Sequence, residues 1–150
     1  MARFRFRLQN ILEVKEKMEN QSKQEFSAAS AALNAEEEKL ELLLQKKQGL
    51  ENEAVRLLSG ELKFRDIDDN RLARAQTDEA INDQREAIKR AEDVLEKARV
   101  KMAEAVMERK TYEKLREKAF DEFVAEENRA EGKSIDELTS FTHGRKIQNK

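Results

Sequence analysis

The sequence predicts an all-α protein, a long two-helix antiparallel coiled-coil hairpin. Of its 150 residues, 41% are charged and only 5% are aromatic, which leaves little apolar mass for a thick core. Two long segments repeat apolar residues every seven positions, and the period fails between them. This combination is typical of long helices that bury a narrow seam.

The predicted element bounds follow from where the seven-residue period holds. They are, in order along one hairpin domain, helix 1 over about 4–57, a turn over about 58–70, helix 2 over about 71–131 and a flexible tail over about 132–150. Gly60 can take the positive φ that ends a helix, and Asp69 or Asn70 can cap the next one. At 1.5 Å per residue, helix 1 would be roughly 80 Å long.

Helix 1 carries its clearest seam from Phe26 onward. Two lines of residues repeat every seven positions: Phe26, Leu33, Leu40, Lys47 and Ala54, and Ala29, Glu36, Leu43, Leu50 and Leu57. Towards the N-terminus, the seam is predicted to continue through Leu8, Ile11 and Met18. That continuation requires a one-residue slip near Phe26, which would change the local winding.

Helix 2 has a matching seam in which one line is mostly alanine. The two lines are Ile81, Ile88, Leu95, Met102 and Arg109, and Gln84, Ala91, Ala98, Ala105 and Tyr112. Small residues let two antiparallel backbones approach closely. If the chain reverses about residue 64, the facing pairs are Leu40 with Ile88, Leu33 with Leu95, Phe26 with Met102, and Leu8 with Phe120.

The first residues alternate basic and apolar side chains as Arg3-Phe4-Arg5-Phe6-Arg7-Leu8. Taken by itself, this alternation is compatible with a short strand or with a cationic patch that has aromatic residues between the basic ones. The helical spacing of Phe4, Leu8 and the following apolar residues favours the first turn of helix 1, with the arginines on its flanks. A binding role for the three arginines is the alternative, because blocks of like charge sometimes form interaction arms.

The far end of helix 2 is predicted to change phase and then to overhang helix 1. After Tyr112 the apolar residues move to Leu115, Ala119, Phe120 and Phe123. An aromatic cluster is therefore predicted from Phe4, Phe6, Leu8, Phe120 and Phe123. Residues after about 124 have no partner on helix 1, Gly132 interrupts the helix, and Ser134 with Glu137 can cap a further short piece.

The composition and motifs argue against an enzyme, a metal site and a cofactor. The chain has no Cys, and its single His143 lies near the C-terminus without a second ligand or a nucleophile. Asp66, Asp68 and Asn70 have the spacing that begins a calcium loop, but Arg71 stands where that loop requires Gly. The acidic run at 36–38 is interpreted as a solvated helix face rather than as paired catalytic carboxylates.

Charge and hydropathy also limit the partners and the location. A net charge of −2 gives no general attraction to nucleic acid or anionic lipid. No apolar run approaches the roughly 18 residues that span a bilayer. The chain is therefore expected inside the cell, soluble or peripherally attached, without direct membrane insertion.

Four stretches of the sequence resemble the FliJ family of bacterial flagellar export proteins. They are Phe4-Arg5-Phe6-Arg7-Leu8-Gln9-x-Ile11-Leu12, Glu79-Ala80-Ile81-x-x-Gln84, Arg109-Lys110-x-x-Glu113-Lys114-Leu115, and Glu126-Glu127-x-x-Ala130-Glu131-x-Lys133-x-x-Asp136-Glu137. The resemblance runs from Arg3 to about Glu137. It implies a cytoplasmic two-helix coiled coil of the flagellar type III export apparatus, shaped like the central stalk of rotary ATP synthases and peripheral at the membrane through that apparatus.

The resemblance also implies three partners and two contact regions. The partners are the hexameric export ATPase, the cytoplasmic part of the export gate, and export chaperones that carry late substrates. The ATPase-ring contacts expected at the end with both termini are Arg3, Phe4, Arg5, Phe6, Arg7, Phe120 and Phe123. The gate contacts carried over by position are Lys39, Leu43, Lys46, Leu50, Ala73, Thr77, Ala80 and Gln84.

Two other function classes stay open on the sequence alone. An antiparallel hairpin can be a nucleic-acid-binding arm, but such an arm needs a basic stripe, and here basic and acidic residues are interspersed. The hairpin can also be a generic structural or chaperone-like adaptor that spaces or clamps partners. Co-purification with a hexameric ATPase would distinguish the export stalk from that adaptor.

Overall fold

The computed structural model describes residues 2–148, with side chains for residues 2–144, as two helices. Helix α1 spans Gln9–Leu58 and helix α2 spans Phe64–Gln148. The helices run antiparallel where they pair: Gln9 contacts Arg116 and Glu19 contacts Arg109, and, separately, Glu36 contacts Gln84 and Lys47 contacts Asp78. The predicted all-α helical hairpin is thus confirmed.

The turn is much shorter than predicted and covers only residues 59–63. The Ser59 hydroxyl donates to the Val55 carbonyl at 2.7 Å, and the Ser59 amide to the Arg56 carbonyl at 3.1 Å, so local hydrogen bonds satisfy the end of α1. Gly60 does not supply a left-handed ending, since no glycine of the described chain has a positive φ. Helix α2 already begins at Phe64, and the Ile67 amide reaches the Lys63 carbonyl at 3.1 Å.

Asn70 is not the helix cap that the sequence suggested. It lies in the second turn of α2, is only 5% exposed, and donates its side-chain amide to the Leu50 carbonyl at 3.0 Å. Its Oδ1 accepts from Arg74 at 2.8 Å. The polar side-chain atoms of Asn70 are therefore satisfied inside the seam, whereas the sequence predicted that this residue could cap the start of helix 2.

Helix α2 also continues past its predicted end near 131. Gly132 and Ser134 lie within it, so neither interrupts the helix nor caps a new one. A single exposed Gly inside a helix costs only about 1 kcal/mol relative to Ala, which is too little to stop propagation. The side chains from 128 to 144 are all exposed, as expected of an overhang, and positions 149–150 of the predicted tail lie outside the described residues.

The chain divides into two compact units. The terminal unit consists of Met1–Glu19 and Glu104–Lys150, and the turn unit consists of Asn20–Ala103. Each unit therefore contains one piece of α1 and one piece of α2. Cross-helix contacts within each unit hold its two pieces together.

The predicted seam positions are confirmed by burial. All ten positions of the two lines on α1 from Phe26 to Leu57, and all ten on α2 from Ile81 to Tyr112, are buried or half-buried. Asn70 and Thr77 extend the alanine-rich line of α2 towards the turn and are 5% and 3% exposed. The contacting pairs across the helices are centred between residues 60 and 64, so the reversal lies at or slightly before the predicted residue.

The predicted slip near Phe26 is wrong. Ile11 and Met18 are 40% and 45% exposed, whereas Leu12 and Glu19 are 3% and 6% exposed. The seven-residue period of α1 runs unbroken through these positions, in two lines: Leu12, Glu19 and Phe26, and Leu8, Lys15, Ser22 and Ala29. The helix keeps its register and accepts polar residues in the seam, because Glu19 pairs there with Arg109 of α2.

A phase change after Tyr112 is likewise absent. Ala119 lies seven residues after Tyr112, Phe123 lies fourteen after Arg109, and both are half-buried. Leu115 and Phe120 are 43% and 46% exposed, because they fall beside this line. Arg116 and Glu126, which continue the same two lines, are exposed, so the seam of α2 is narrower here.

Candidate interaction surfaces

The N-terminal residues 2–8, called the arm below, precede the helix instead of forming its first turn. Arg3, Arg5 and Arg7 are exposed, while Phe4, Phe6 and Leu8 are half-buried. This alternation is that of an extended segment, whose successive side chains point to opposite faces. The arm is neither helix nor strand, and the helical start predicted at residue 4 is corrected to Gln9.

Aromatic contacts fix the arm to α2 in the terminal unit. The Phe4 ring lies 5.2 Å from the Phe120 ring, nearly perpendicular to it, and 5.5 Å from the Phe123 ring. The Arg116 guanidinium sits 5.7 Å from the centroid of Phe4 and donates to Gln9 at 3.1 Å. Edge-to-face ring pairs and cation–π contacts both favour this placement, so Phe4 anchors the predicted aromatic cluster.

An open groove of about 870 Å³ runs beside the arm and is called the arm groove. Its floor is mostly apolar and includes Phe6, Leu8 and Phe123. The three arginines line the arm side, and Lys118, Glu122 and Glu126 lie on α2. The structure thus gathers six of the seven predicted ring-contact residues at this groove, and Phe120 joins them through Phe4.

The eight predicted gate-contact residues lie in the turn unit with different exposures. Lys39 and Lys46 are exposed, whereas Thr77 is 3% exposed and its hydroxyl donates to the Ala73 carbonyl at 2.8 Å. The remaining five are half-buried: Leu43, Leu50, Ala73, Ala80 and Gln84. A partner cannot reach the Thr77 side chain while the two helices stay paired, so Thr77 is corrected from a contact residue to a seam residue.

Sequence reasoning missed an apolar patch at the turn, called the tip patch and formed by Val55, Leu58, Leu62 and Phe64. These side chains are 54% to 82% exposed, with Phe64 the most exposed of the large hydrophobic residues. The signal was present in the sequence, because Leu62 and Phe64 fall where no seam needs them. Large apolar side chains with no seam to fill mark an interaction surface when they cluster.

Gln84 links the two helices of the turn unit by two hydrogen bonds from one amide. Its Nε2 donates to the Glu36 carbonyl at 2.8 Å and to Glu36 Oε2 at 2.5 Å. The bond from Gln84 is the main cause that lowers the pKa of the Glu36 carboxyl below its ordinary 4.5, and Lys39 lowers it further. Gln84 is therefore part of the seam.

This arrangement predicts a pH dependence. Because the folded pKa of Glu36 is lowered, its contribution to stability is present above pH 4.5 and is lost as the pH falls through the lowered value. In the Gln84→Leu variant, carbon-detected titration of the Glu36 carboxyl should give a higher pKa than in the native chain. An unchanged pKa would mean that the cross-helix bond does not set it.

No helix of the described chain is long and apolar enough to cross a membrane. Within residues 2–148, no group of three or more His, Cys, Asp or Glu side chains is placed to hold a metal ion.

Comparisons with known proteins agree with this fold. The family model for the flagellar FliJ protein matches residues 4–148. The solved structure of a Chlamydia trachomatis protein described as a YscO homologue, CT670, superposes with a TM-score of 0.76 at 20% identity, covering 99% of this chain and 100% of that one. The comparison with curated proteins gives no significant match.

The structural likeness is one of fold, because its sequence identity is low. The family match covers nearly the whole chain, including the arm from Phe4 onward, both seams and the overhang. The chain therefore belongs to the FliJ family of flagellar proteins, whose members are components of the bacterial type III export apparatus.

Proposed function

We propose that the chain acts as a stalk-like coiled coil in type III export. In this role its terminal unit binds the hexameric export ATPase, its turn unit binds the cytoplasmic part of the export gate, and it assists chaperones that deliver substrates. It works in the cytoplasm and attaches peripherally to the membrane through the apparatus. The role is one of contact and needs no catalytic residue, cofactor or metal.

The observation that carries the proposal is the row of three arginines on the arm. Arg3, Arg5 and Arg7 are exposed, and no ion pair or hydrogen bond is found for them among the described residues. The ring contacts of Phe4 hold the arm in place, so the row is presented on an ordered support. Cationic groups that are exposed, ordered and without partners are suited to a ring surface that carries carboxylates.

The turn unit offers a different surface for the gate. The exposed Lys39 and Lys46 remain from the carried-over set, and the tip patch adds Leu62 and Phe64. Lys39 and Lys46 lie 19 and 12 residues before Leu58 on the same helix, so the lysines and the tip patch are successive parts of one long surface. We infer that the gate contacts this surface along its length, where Leu43 and Leu50 of α1 and Ala73 and Ala80 of α2 are half-buried.

A third surface suits the chaperones. Ile11, Val14 and Met18 are 40% to 52% exposed and lie at intervals of three and four residues on α1. Apolar residues at this spacing form a stripe against which an amphipathic helix can pack. The chaperone contact of the proposal is assigned to this stripe.

The ATPase part is tested by adding substoichiometric amounts of the chain to its cognate export ATPase. We expect hexamer assembly and ATP hydrolysis to rise, since a ligand that binds only the ring stabilises the ring by mass action. The Arg3→Glu, Arg5→Glu, Arg7→Glu variant, or removal of residues 124–150, should abolish the rise while circular dichroism still shows helix.

The matched control is Arg65→Glu, Arg85→Glu, Lys97→Glu, which makes the same change in charge at exposed positions of the turn unit. This control should stimulate the ATPase as the native chain does. Lys39→Glu with Lys46→Glu should also spare the ATPase and weaken gate binding. Full stimulation by the arm variant, or its loss in the control, would overturn the ring contact and favour the generic adaptor.

A further inference from the structure

The arm has a second property besides its charge, which is a free main chain. The Phe6 carbonyl accepts from the Gln9 amide at 3.1 Å, but the amides and carbonyls of Arg3, Phe4 and Arg5 make no hydrogen bond within the described chain. Exposed polar backbone in an extended segment is the template on which another strand pairs. In a helical first turn, the carbonyls of these residues would accept intrahelical hydrogen bonds, whereas their amides would stay without partners.

The arm groove gives such a strand a place to lie. It runs along the arm from Arg3 to Leu8, and its floor includes Leu115 and Ala119 of α2. Neighbouring strands point their side chains the same way at each paired position. A segment beside the arm would therefore place one row of side chains on the apolar floor and the alternate row beside the arginines.

We propose that the arm docks an extended polypeptide segment that alternates acidic and apolar residues, as a strand added along the arm. The arginines bind the carboxylates, often through two parallel N–H···O bonds, and the main chain supplies the pairing. The docking proposal rests on the proposed function in one respect only, namely that the docked segment belongs to a subunit of the ATPase ring. The recognition itself depends on the arm and on the groove beside it.

The charges around the groove favour a polypeptide over a nucleic acid. Glu122 and Glu126 of α2 line the groove together with Lys118, so acidic side chains outnumber basic ones on the α2 side. A phosphodiester chain carries a charge at every residue and would meet these carboxylates, whereas an alternating peptide has uncharged side chains in half of its positions. The net charge of −2 adds no general attraction for a polyanion.

The probe is an acetylated, amidated heptapeptide that alternates valine with glutamate, measured by NMR on the full isotope-labelled chain. We expect it to bind at the arm, to slow exchange of alternate arm amides, and to bind about tenfold more weakly to the Arg3→Glu, Arg5→Glu, Arg7→Glu variant. The same peptide with lysine in place of glutamate should not bind. The Arg65→Glu, Arg85→Glu, Lys97→Glu control should bind as the native chain does.

A second experiment looks for a variant that binds the peptide more tightly. Glu122→Gln with Glu126→Gln should strengthen binding of the acidic peptide, because it removes repulsion across the groove. Glu131→Gln with Asp136→Asn makes the same change in charge on the exposed overhang and should leave binding unchanged. A gain in both variants would indicate a general charge effect and overturn docking in this groove.

Three further outcomes overturn the proposal: absence of binding, binding without slowed arm amides, and tighter binding of a short oligothymidylate than of the acidic peptide. These are independent of the ATPase assay. If the peptide docks but the ATPase is not stimulated, the docking strand stands and the ring is the wrong source of the segment. If the arm stimulates the ATPase but no acidic strand docks, the proposed function stands and this inference fails.

Discussion

Ile81→Ala is expected to destabilise the hairpin by about 2–4 kcal/mol, as truncations of buried aliphatic side chains do. Ile81 is 5% exposed and lies between two cross-helix contacts, Lys47 with Asp78 and Gln84 with Glu36. Only four apolar residues of the described chain are buried, namely Leu12, Ala29, Ile81 and Ala105. Of these four residues, Ala29 and Ile81 lie in the turn unit, and Ile81 has the larger side chain. No other buried apolar residue there can replace the contacts of its methyl groups.

Urea unfolding followed by circular dichroism measures this loss. Val94→Ala is the matched control on the same helix, because Val94 is 58% exposed and its truncation should change stability by less than about 0.5 kcal/mol. Equal losses in the two variants would show that the seam does not pass through Ile81 and that the register described above is wrong.

Arg109→Leu is expected to lower the melting temperature more than any change to an exposed ion pair. Arg109 donates to the two carboxylate oxygens of Glu19 at 2.5 and 3.3 Å and to Glu113 at 2.6 Å. The hydrogen bond that Arg109 donates to Glu19, followed by the one that it donates to Glu113, raises the pKa of Arg109. Since Glu19 is 6% exposed, the substitution removes a guanidinium partner from a carboxylate that water barely reaches.

The double variant Glu19→Leu, Arg109→Leu should recover the native melting temperature or exceed it, because two leucines continue the apolar seam where the ion pair stood. Arg99→Leu is the control. Arg99 binds Glu96 three residues away on the same helix, where both side chains are more than half exposed, and such pairs contribute little. If the double variant melted no higher than Arg109→Leu alone, the loss would come from the packing of the Arg109 stem rather than from its charge.

Periodicity determined the fold class and most of the seam. Because one face of each helix must be buried, the residues that recur every seven positions from Phe26 to Leu57 and from Ile81 to Tyr112 are enough to indicate the paired faces. The same reasoning predicted the overhang, and it placed Phe4, Phe120 and Phe123 in one cluster, although through a phase change that the structure does not show. These features depend on local spacing and chain length, which a single sequence contains.

Only the tertiary structure decided which of two apolar lines at the start of α1 enters the seam. Hydrophobicity favoured Ile11 and Met18, yet Glu19 is buried, because Arg109 of the other helix supplies its partner. Asn70 likewise became a seam residue through the Leu50 carbonyl. The burial of a polar side chain depends on a partner far away in sequence, and spacing along one helix contains no information about that partner.

The conformation of the arm likewise depended on contacts with residues far away in the sequence. Its alternation of arginine and phenylalanine was visible in the sequence, but the helical spacing of the residues that follow favoured a helix start. The outcome was decided by α2, whose aromatic rings and Arg116 hold Phe4 in an extended segment. The sequence by itself therefore determined that two helices pair and along which faces. The fold determined where helix gives way to extended chain and which charges are buried, because those outcomes depend on contacts between residues about a hundred positions apart.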